Sequence, residues 1–200
     1  MIGDCADCKT HICAGKGISC AKVDKEKILS MYTDEECKIM QAAAFVEATY
    51  YGDLTRLEET AEFAKQMGYK KLGFAFCIGL NKEAKLIKQF LAKNFEIVSV
   101  CCKNCSIAKD ELGLKKINPQ SKIEAMCNPK NQAEFLNQQK CDLFISCGLC
   151  VGHDAIFNQN CNGPVTTIAT KDRVLAHNPL GAVYSRYWRK KLGLMQDGEI

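Results

Sequence analysis

The fold is decided by four short apolar runs, of which the clearest is KLGFAFC at residues 71–77. It shows no polar alternation, which is typical of a strand buried on both faces of a parallel sheet. Three later runs have a similar character: FEIVSVC at 95–101, CDLFISC at 141–147 and PVTTIAT at 164–170. The segments between the runs carry helical patterns, so the sequence predicts βαβ units with right-handed crossovers.

The fold class that follows is α/β: a three-layer, Rossmann-like parallel sheet of about four strands. Helices precede it, because Thr33 and Glu36 form a capping-box pattern and Asp53 can cap a second helix. Asn128-Pro129 predicts the start of a later helix, and residues 179–192 predict a last one. Residues 1–22 are predicted to form a small cysteine-rich metal-binding or cluster-binding loop, and residues 23–200 the α/β domain with its leading helices.

Cysteine content is the unusual feature of the composition: 14 of the 200 residues are cysteine, against an ordinary hydrophobic share of 47% and a net charge of +4. The N-terminus has no apolar run for a leader, and no stretch reaches membrane-spanning length. We therefore expect a cytoplasmic protein without membrane contact, in which cysteine clusters bind metal or catalyse. The dispersed Lys and Arg residues predict no nucleic-acid binding. So many thiols suggest an anaerobic host.

The first cysteine cluster is Cys5, Cys8, Cys13 and Cys20, with the spacing C-x2-C-x4-C-x6-C. This stretch is too short to bury a core, so metal ligation is the source of folding free energy that we expect. Its compact, irregular spacing favours an iron–sulfur cluster over zinc, which usually takes two C-x2-C knuckles. Spacing does not exclude zinc.

The second cluster is predicted from cysteines at the ends of strands, because ligands gather at the carboxyl ends of parallel strands. Shared ligation is expected for Cys77, Cys102, Cys127 and Cys150. Cys105 and Cys147 form C-x2-C pairs with two of these and are possible substitutes or extra ligands. The remaining expectation is packing, for Cys37, Cys141 and Cys161 and for one member of the Cys101–Cys102 pair.

Candidate proton donors lie after the third and fourth runs. His153 and His177 are the only histidines of the α/β domain, and histidine suits proton transfer near neutral pH. Asp154 accompanies His153 at a predicted helix N-terminus. The alternatives are that Asp154 only caps the helix and that His153 only hydrogen-bonds to a ligand residue and has no catalytic role.

The chain resembles a known family on long motifs: GFAFCIGL (73–80), SVCCK (99–103), MCNPKNQAEFLN (126–137), DLFISCGLCVGHDAIF (142–157) and PVTTIATKDRVLAHNP (164–179). It is similar to an uncharacterised domain-of-unknown-function family of cysteine-rich proteins, found mostly in anaerobic bacteria and archaea and described as metal-binding. The resemblance implies no reaction. It marks both four-cysteine sets together with His153, Asp154, Asp172 and His177, whereas Cys105 and Cys147 lie outside its pattern.

The leading hypothesis is an iron–sulfur protein with two four-cysteine [4Fe–4S] sites, active in electron transfer or cluster-based redox chemistry. An electron-transfer or metal-donor protein and a small-molecule substrate are the expected partners. The alternatives are a zinc-binding structural or interaction protein and a metal-handling protein. A conventional nucleotide-binding enzyme is disfavoured, because neither G-x-G-x-x-G after a strand nor G-x4-G-K-[ST] occurs.

Overall fold

The computed structural model of the protein describes residues 4–194. The chain divides into two compact units, one up to Thr49 and the other from Tyr50. The predicted division into a loop over 1–22 and a domain over 23–200 stays a prediction.

The described part of the first unit carries α1 (Ile12–Lys16), α2 (Lys25–Leu29) and α3 (Asp34–Tyr50), whose last residue already belongs to the second unit. The capping box predicted for α3 is present: the Thr33 N–H donates to Glu36 Oε2 at 2.8 Å and the Glu36 N–H donates to Thr33 Oγ1 at 3.2 Å. Cys37 in this helix is exposed, so the expectation that it packs in a core was wrong.

The second unit is built on a four-stranded sheet, which confirms the predicted fold class. Its strands are β1 (Lys71–Phe76), β2 (Glu96–Cys101), β3 (Leu143–Cys147) and β4 (Val165–Ala169). They are all parallel, in the order β2-β1-β3-β4. Every residue of β3 is buried, as its unbroken apolar run predicts for a central strand.

Helices cover both faces of the sheet: α4 (Arg56–Gln66), α5 (Asn81–Leu91), α6 (Pro129–Gln138) and α7 (His153–Asn160). On one face Leu72, Phe74 and Ile145 pack with buried residues of α4 and α5. On the other face Ala75 and Phe144 pack with buried residues of α6 and α7. This separation follows from the alternation of side chains along each strand and produces the three layers.

Helix starts were predicted with mixed success. Asn128 caps α6 through a 3.1 Å bond from the Asn131 N–H, with Pro129 in the first turn, as predicted. α4 begins at Arg56 behind a capping box of Thr55 and Glu58, so Asp53 is not its cap. Thr55 followed three residues later by glutamate is the stronger signal, because both side chains satisfy backbone N–H groups.

The C-terminal region differs from the single helix predicted over 179–192. It forms two short helices, α8 (Gly181–Tyr184) and α9 (Arg186–Lys191). Ser185 between them is extended, with ψ of 123°, which interrupts the helical hydrogen-bond ladder. Tyr184 and Tyr187 are exposed.

Residues 103–127 carry two short 3-10 helices, Asn104–Ser106 and Lys109–Leu112, and an isolated antiparallel bridge between Ala108 and Ala125. A third 3-10 turn, Ile78–Leu80, follows β1. Within the described part of the chain, no helix is both long enough and apolar enough to cross a membrane.

Candidate metal centre at the sheet edge

Three cysteines meet at the carboxyl edge of the sheet, and strand register and backbone hydrogen bonds fix the position of each. Phe76 and Cys101 are register partners, so Cys77 and Cys102 follow β1 and β2 at the same level. The Cys102 N–H donates to the Phe76 carbonyl at 2.9 Å, and the Asn128 N–H donates to the Cys102 carbonyl at 2.8 Å, which brings Cys127 beside β2. We call Cys77, Cys102 and Cys127 the sheet-edge cysteines.

The sheet-edge cysteines form a hydrogen-bonded chain with Cys102 in the middle. Its side chain is hydrogen-bonded to those of both Cys77 and Cys127. The Ile78 N–H donates to Cys102 Sγ at 3.4 Å. The hydrogen bonds and burial raise the pKa of Cys102 well above its usual range.

The two outer thiols have the opposite shift. The hydrogen bond from Cys102 lowers the pKa of Cys77 to about 5, helped by the Gly79 N–H and by Lys171. The same neighbour lowers the pKa of Cys127 to about 5, helped by the positive charges of Lys103 and His153. The two outer thiols therefore favour the thiolate form, and the Cys102 thiol between them favours the protonated form.

The fourth predicted ligand, Cys150, follows β3 and is engaged by a cation. Arg173 Nη2 donates to Cys150 Sγ at 3.1 Å. The Cys150 carbonyl accepts the N–H groups of His153, at 2.9 Å, and Asp154, at 3.1 Å, so it links this loop to the start of α7. Asp154 Oδ1 accepts the Ala155 N–H at 2.8 Å, which is a local bond within the first turn.

His177 is hydrogen-bonded into the loop after β4. Its Nδ1 accepts the Asp172 N–H at 3.2 Å, and its own N–H donates to the Asp172 carbonyl at 2.9 Å. Only Nε2 is left for proton exchange. The roles of His153, Asp154 and His177 as proton donors stay predictions.

Other cysteines are placed away from the sheet-edge thiols or serve packing. Cys147 belongs to the core on the α4 and α5 side, and burial raises the pKa of its thiol to about 11. Cys105 is exposed, and Asn131 Nδ2 contacts its sulfur at 3.2 Å. Cys141 and Cys161 pack against the core on the α6 side, as expected for these two.

The N-terminal cysteines are mostly exposed: Cys5, Cys13 and Cys20 are exposed and Cys8 is half-buried. The Cys8 N–H donates to the Cys5 carbonyl at 3.3 Å, which closes a turn across the C-x2-C pair. The backbone N–H groups of His11 and Thr10 point at Cys8 Sγ and lower the pKa of its thiol. Backbone donors of this kind favour a thiolate, the form that binds metal.

Neither four-cysteine set is arranged around a single ion. Across residues 4–194 there is no group of three or more His, Cys, Asp or Glu side chains whose geometry could hold a metal ion directly. The sheet-edge sulfur atoms hydrogen-bond to one another, and ligation by either set stays a prediction.

Gln132 is a functional candidate that sequence reasoning missed. It is fully buried in α6, and its Nε2 donates to the Val100 carbonyl at 3.0 Å and to the Phe76 carbonyl at 3.4 Å, next to Cys77 and Cys101. Its Oε1 has no hydrogen-bond partner among the described residues. The available signal was a polar residue beside Ala133 and Leu136 on the apolar face of the helix.

Comparison with known proteins relates the chain to one protein family and to an archaeal relative. Residues 18–168 match the model of a family described as protein of unknown function, DUF1847. An uncharacterized protein of Methanocaldococcus jannaschii is 51% identical over 189 residues, which is 94% of this chain and 97% of that protein. No solved structure matches the chain.

Proposed function

The chain belongs to the DUF1847 family of proteins of unknown function, and we propose that it is an iron–sulfur protein with two cluster sites. The core site comprises the sheet-edge cysteines together with Cys150. The second site comprises Cys5, Cys8, Cys13 and Cys20. The observation that carries the proposal is the meeting of three thiols from two connections of the sheet, the one after β1 and the one between β2 and α6, in one hydrogen-bonded chain with Lys171 beside it.

Charge supports binding of an anionic cluster at the core site. Lys171 lies against Cys77, Arg173 against Cys150, and the charges of Lys103 and His153 act on Cys127. Iron–sulfur clusters are held by cysteine thiolates, so their sites concentrate negative charge. Cations at the rim offset the cost of placing that charge at a half-buried sheet edge.

Binding of an iron–sulfur cluster at this edge requires the sulfur atoms of the sheet-edge cysteines to move apart. A cluster is larger than one ion and takes thiolates that are farther apart, and no ready site for a single ion exists in the described chain. Loading requires the Cys102 thiol to release its proton and its hydrogen bonds, because only a thiolate ligates. Metal uptake is therefore expected to release protons.

The chemistry we propose is electron transfer, or redox conversion of a small molecule at the core site. His153, Asp154 and His177 are the proton donors that we assign to such a conversion. The N-terminal cluster is structural or exchanges electrons with a partner protein. The proposal places the protein in the cytoplasm of an anaerobe, without nucleic-acid or membrane partners.

The test is anaerobic purification followed by iron and acid-labile sulfide analysis, with visible spectra before and after dithionite. A brown protein with about eight iron and about eight sulfide per chain, bleached by reduction, is expected for two cubane clusters. A protein without iron and sulfide after anaerobic reconstitution with both would overturn the proposal.

Zinc is the second candidate, and it is favoured by one observation in the N-terminal unit. Cys8 lies in a C-x2-C turn, a spacing found in structural zinc knuckles, and backbone N–H groups lower the pKa of its thiol, which favours the thiolate that zinc binds. A colourless protein with one or two zinc ions per chain and no sulfide would establish this alternative and move the function to structure, interaction or metal handling.

A further inference from the structure

The loop that follows β4 is held rigidly by its own hydrogen bonds. Asp172 Oδ1 accepts the N–H groups of Val174 and Leu175, both at 2.8 Å. His177 closes the loop through its two bonds with the Asp172 backbone. The base of the loop is tied to the end of β3, because the Gly148 N–H donates to the Ala169 carbonyl.

This rigid loop presents two cations to sulfur atoms on two different strand ends. Lys171 hydrogen-bonds with the Cys77 thiol, which follows β1. Arg173 Nη2 lies 3.1 Å from Cys150 Sγ, which follows β3. Lys171 Nζ and Cys77 Sγ lie against the same residue, since a Cβ built on Gly79 would lie 3.4 Å from the first atom and 3.8 Å from the second.

We propose that Lys171 and Arg173 are the charge-compensating residues of the core cluster and that they raise its reduction potential. This inference rests on the proposed function. Each residue donates a charged hydrogen bond to the sulfur atom of one assigned ligand, and Asp172 and His177 hold the loop that carries them. Asp172 and His177 therefore position the two cations.

The physical reason is that reduction adds one negative charge to the cluster without adding a proton. A nearby cation stabilises the reduced state more than the oxidised state, since the reduced state carries more negative charge. Hydrogen bonds to ligand sulfur atoms act in the same direction. Lys171 is half-buried and Arg173 is exposed, so solvent screens the arginine more and its effect is smaller.

The experiment compares neutral variants with matched controls. Lys171→Gln and Arg173→Gln remove the two cations. Lys71→Gln removes the same charge at the start of β1, at the opposite end of the sheet, and Arg186→Gln does so in α9. Lys171→Arg and Arg173→Lys keep the charge and serve as rescues.

Iron and sulfide content and the midpoint potential are measured on the same anaerobic samples, by electron paramagnetic resonance during titration. Dithionite supplies the electron that the cluster accepts and is itself oxidised to sulfite. We expect Lys171→Gln to reduce the ratio of reduced to oxidised core cluster about tenfold at fixed potential, a shift of about 59 mV to more negative values. A smaller shift in the same direction is expected for Arg173→Gln, and none for the two controls.

The possible outcomes separate this inference from the proposed function. Full iron content with wild-type potentials in both glutamine variants would overturn the inference and leave the proposed function standing. Iron and sulfide missing from the wild-type protein would overturn both. Loss of the cluster in folded Lys171→Gln with retention in Lys171→Arg supports charge compensation, whereas loss in both shows that lysine shape matters and overturns it.

Discussion

At the carboxyl end of the sheet Cys77 and Cys127 belong to a chain of thiols beside lysine and histidine, and the pKa of each is lowered to about 5. At the amino end, on the same α6-covered face, burial raises the pKa of Cys141 to about 11 and that of Cys161 to about 12. The four residues are chemically identical and all are at least partly buried.

The difference shows that hydrogen-bond donors and nearby cations, and not burial alone, decide whether a cysteine is reactive. Desolvation raises the thiol pKa at both ends of the sheet. At the carboxyl end it is outweighed by the hydrogen bond from Cys102. At the amino end desolvation is the largest influence, so the thiols there stay protonated and serve packing.

The largest expected effect is on alkylation of the metal-free protein by iodoacetamide at pH 7. Cys127 and Cys161 are both half-buried and make a matched pair. We expect Cys127 to react at least about a hundredfold faster, since its thiolate fraction is far higher although a low-pKa thiolate is intrinsically less nucleophilic. Mass spectrometry of timed digests measures the two rates.

The pH profile of that reaction provides the control. Labelling of Cys127 should persist down to about pH 5, its pKa, and labelling of Cys161 should rise only as the pH approaches about 12. Equal rates at pH 7, or parallel pH profiles, would remove the distinction between the two ends of the sheet.

Cluster content is the next largest effect. If the core site binds as proposed, Cys77→Ala should lower iron from about eight to about four per chain, because the N-terminal cluster is separate. Cys141→Ala, at the other end of the sheet, should keep the full content. Loss of all iron, or of none, in Cys77→Ala would contradict two separate sites.

Two glycine substitutions test packing near the two ends of the sheet. Gly148 has φ of +65°, and a Cβ there would lie 2.3 Å from Leu80 Cδ1, so Gly148→Ala combines backbone strain with a steric clash. We expect it to lower the free energy of unfolding by about 2–4 kcal/mol. Gly73→Ala, whose Cβ would lie 3.1 Å from Cys141 Sγ, should cost about 1–2 kcal/mol.

Urea denaturation measures both variants. Because the Gly73 clash involves Cys141, adding Cys141→Ala should recover part of the cost of Gly73→Ala and none of the cost of Gly148→Ala. A similar rescue of both glycine variants would mean that the clash at Gly73 is not local.

The smallest expected effect is on stability in alkaline solution. The folded-state pKa of Cys161 is raised from 9.0 to about 12, so its contribution to stability is complete below pH 9 and is lost as the pH rises toward 12. Cys161→Val should therefore flatten the decline of unfolding free energy above pH 9 by up to about 1 kcal/mol per pH unit. Urea denaturation between pH 8 and about pH 11 checks this, and an unchanged slope would contradict the raised pKa.

Much of this architecture was readable from local patterns. The unbroken apolar runs predicted the parallel strands, Asn128-Pro129 predicted the start of α6, and the strand-end rule predicted that Cys77 and Cys102 would lie together. The start of α4 is also readable from the sequence, because Thr55 and Glu58 form a capping-box pattern that is a stronger signal than Asp53. No proline or glycine stands at the break at Ser185, so the sequence pattern alone predicts one continuous helix.

The amino-acid sequence by itself determined the fold class, the family and which cysteines stand at strand ends, because these depend on side-chain periodicity and on motif order. Only the tertiary structure decided that Cys102 is the centre of a thiol chain, that Cys147 faces the opposite layer, and that Lys171 and Arg173 reach sulfur atoms on two other strands. Such contacts join residues that are distant along the chain. Their charges and hydrogen bonds set each thiol's chemistry, and no local pattern encodes them.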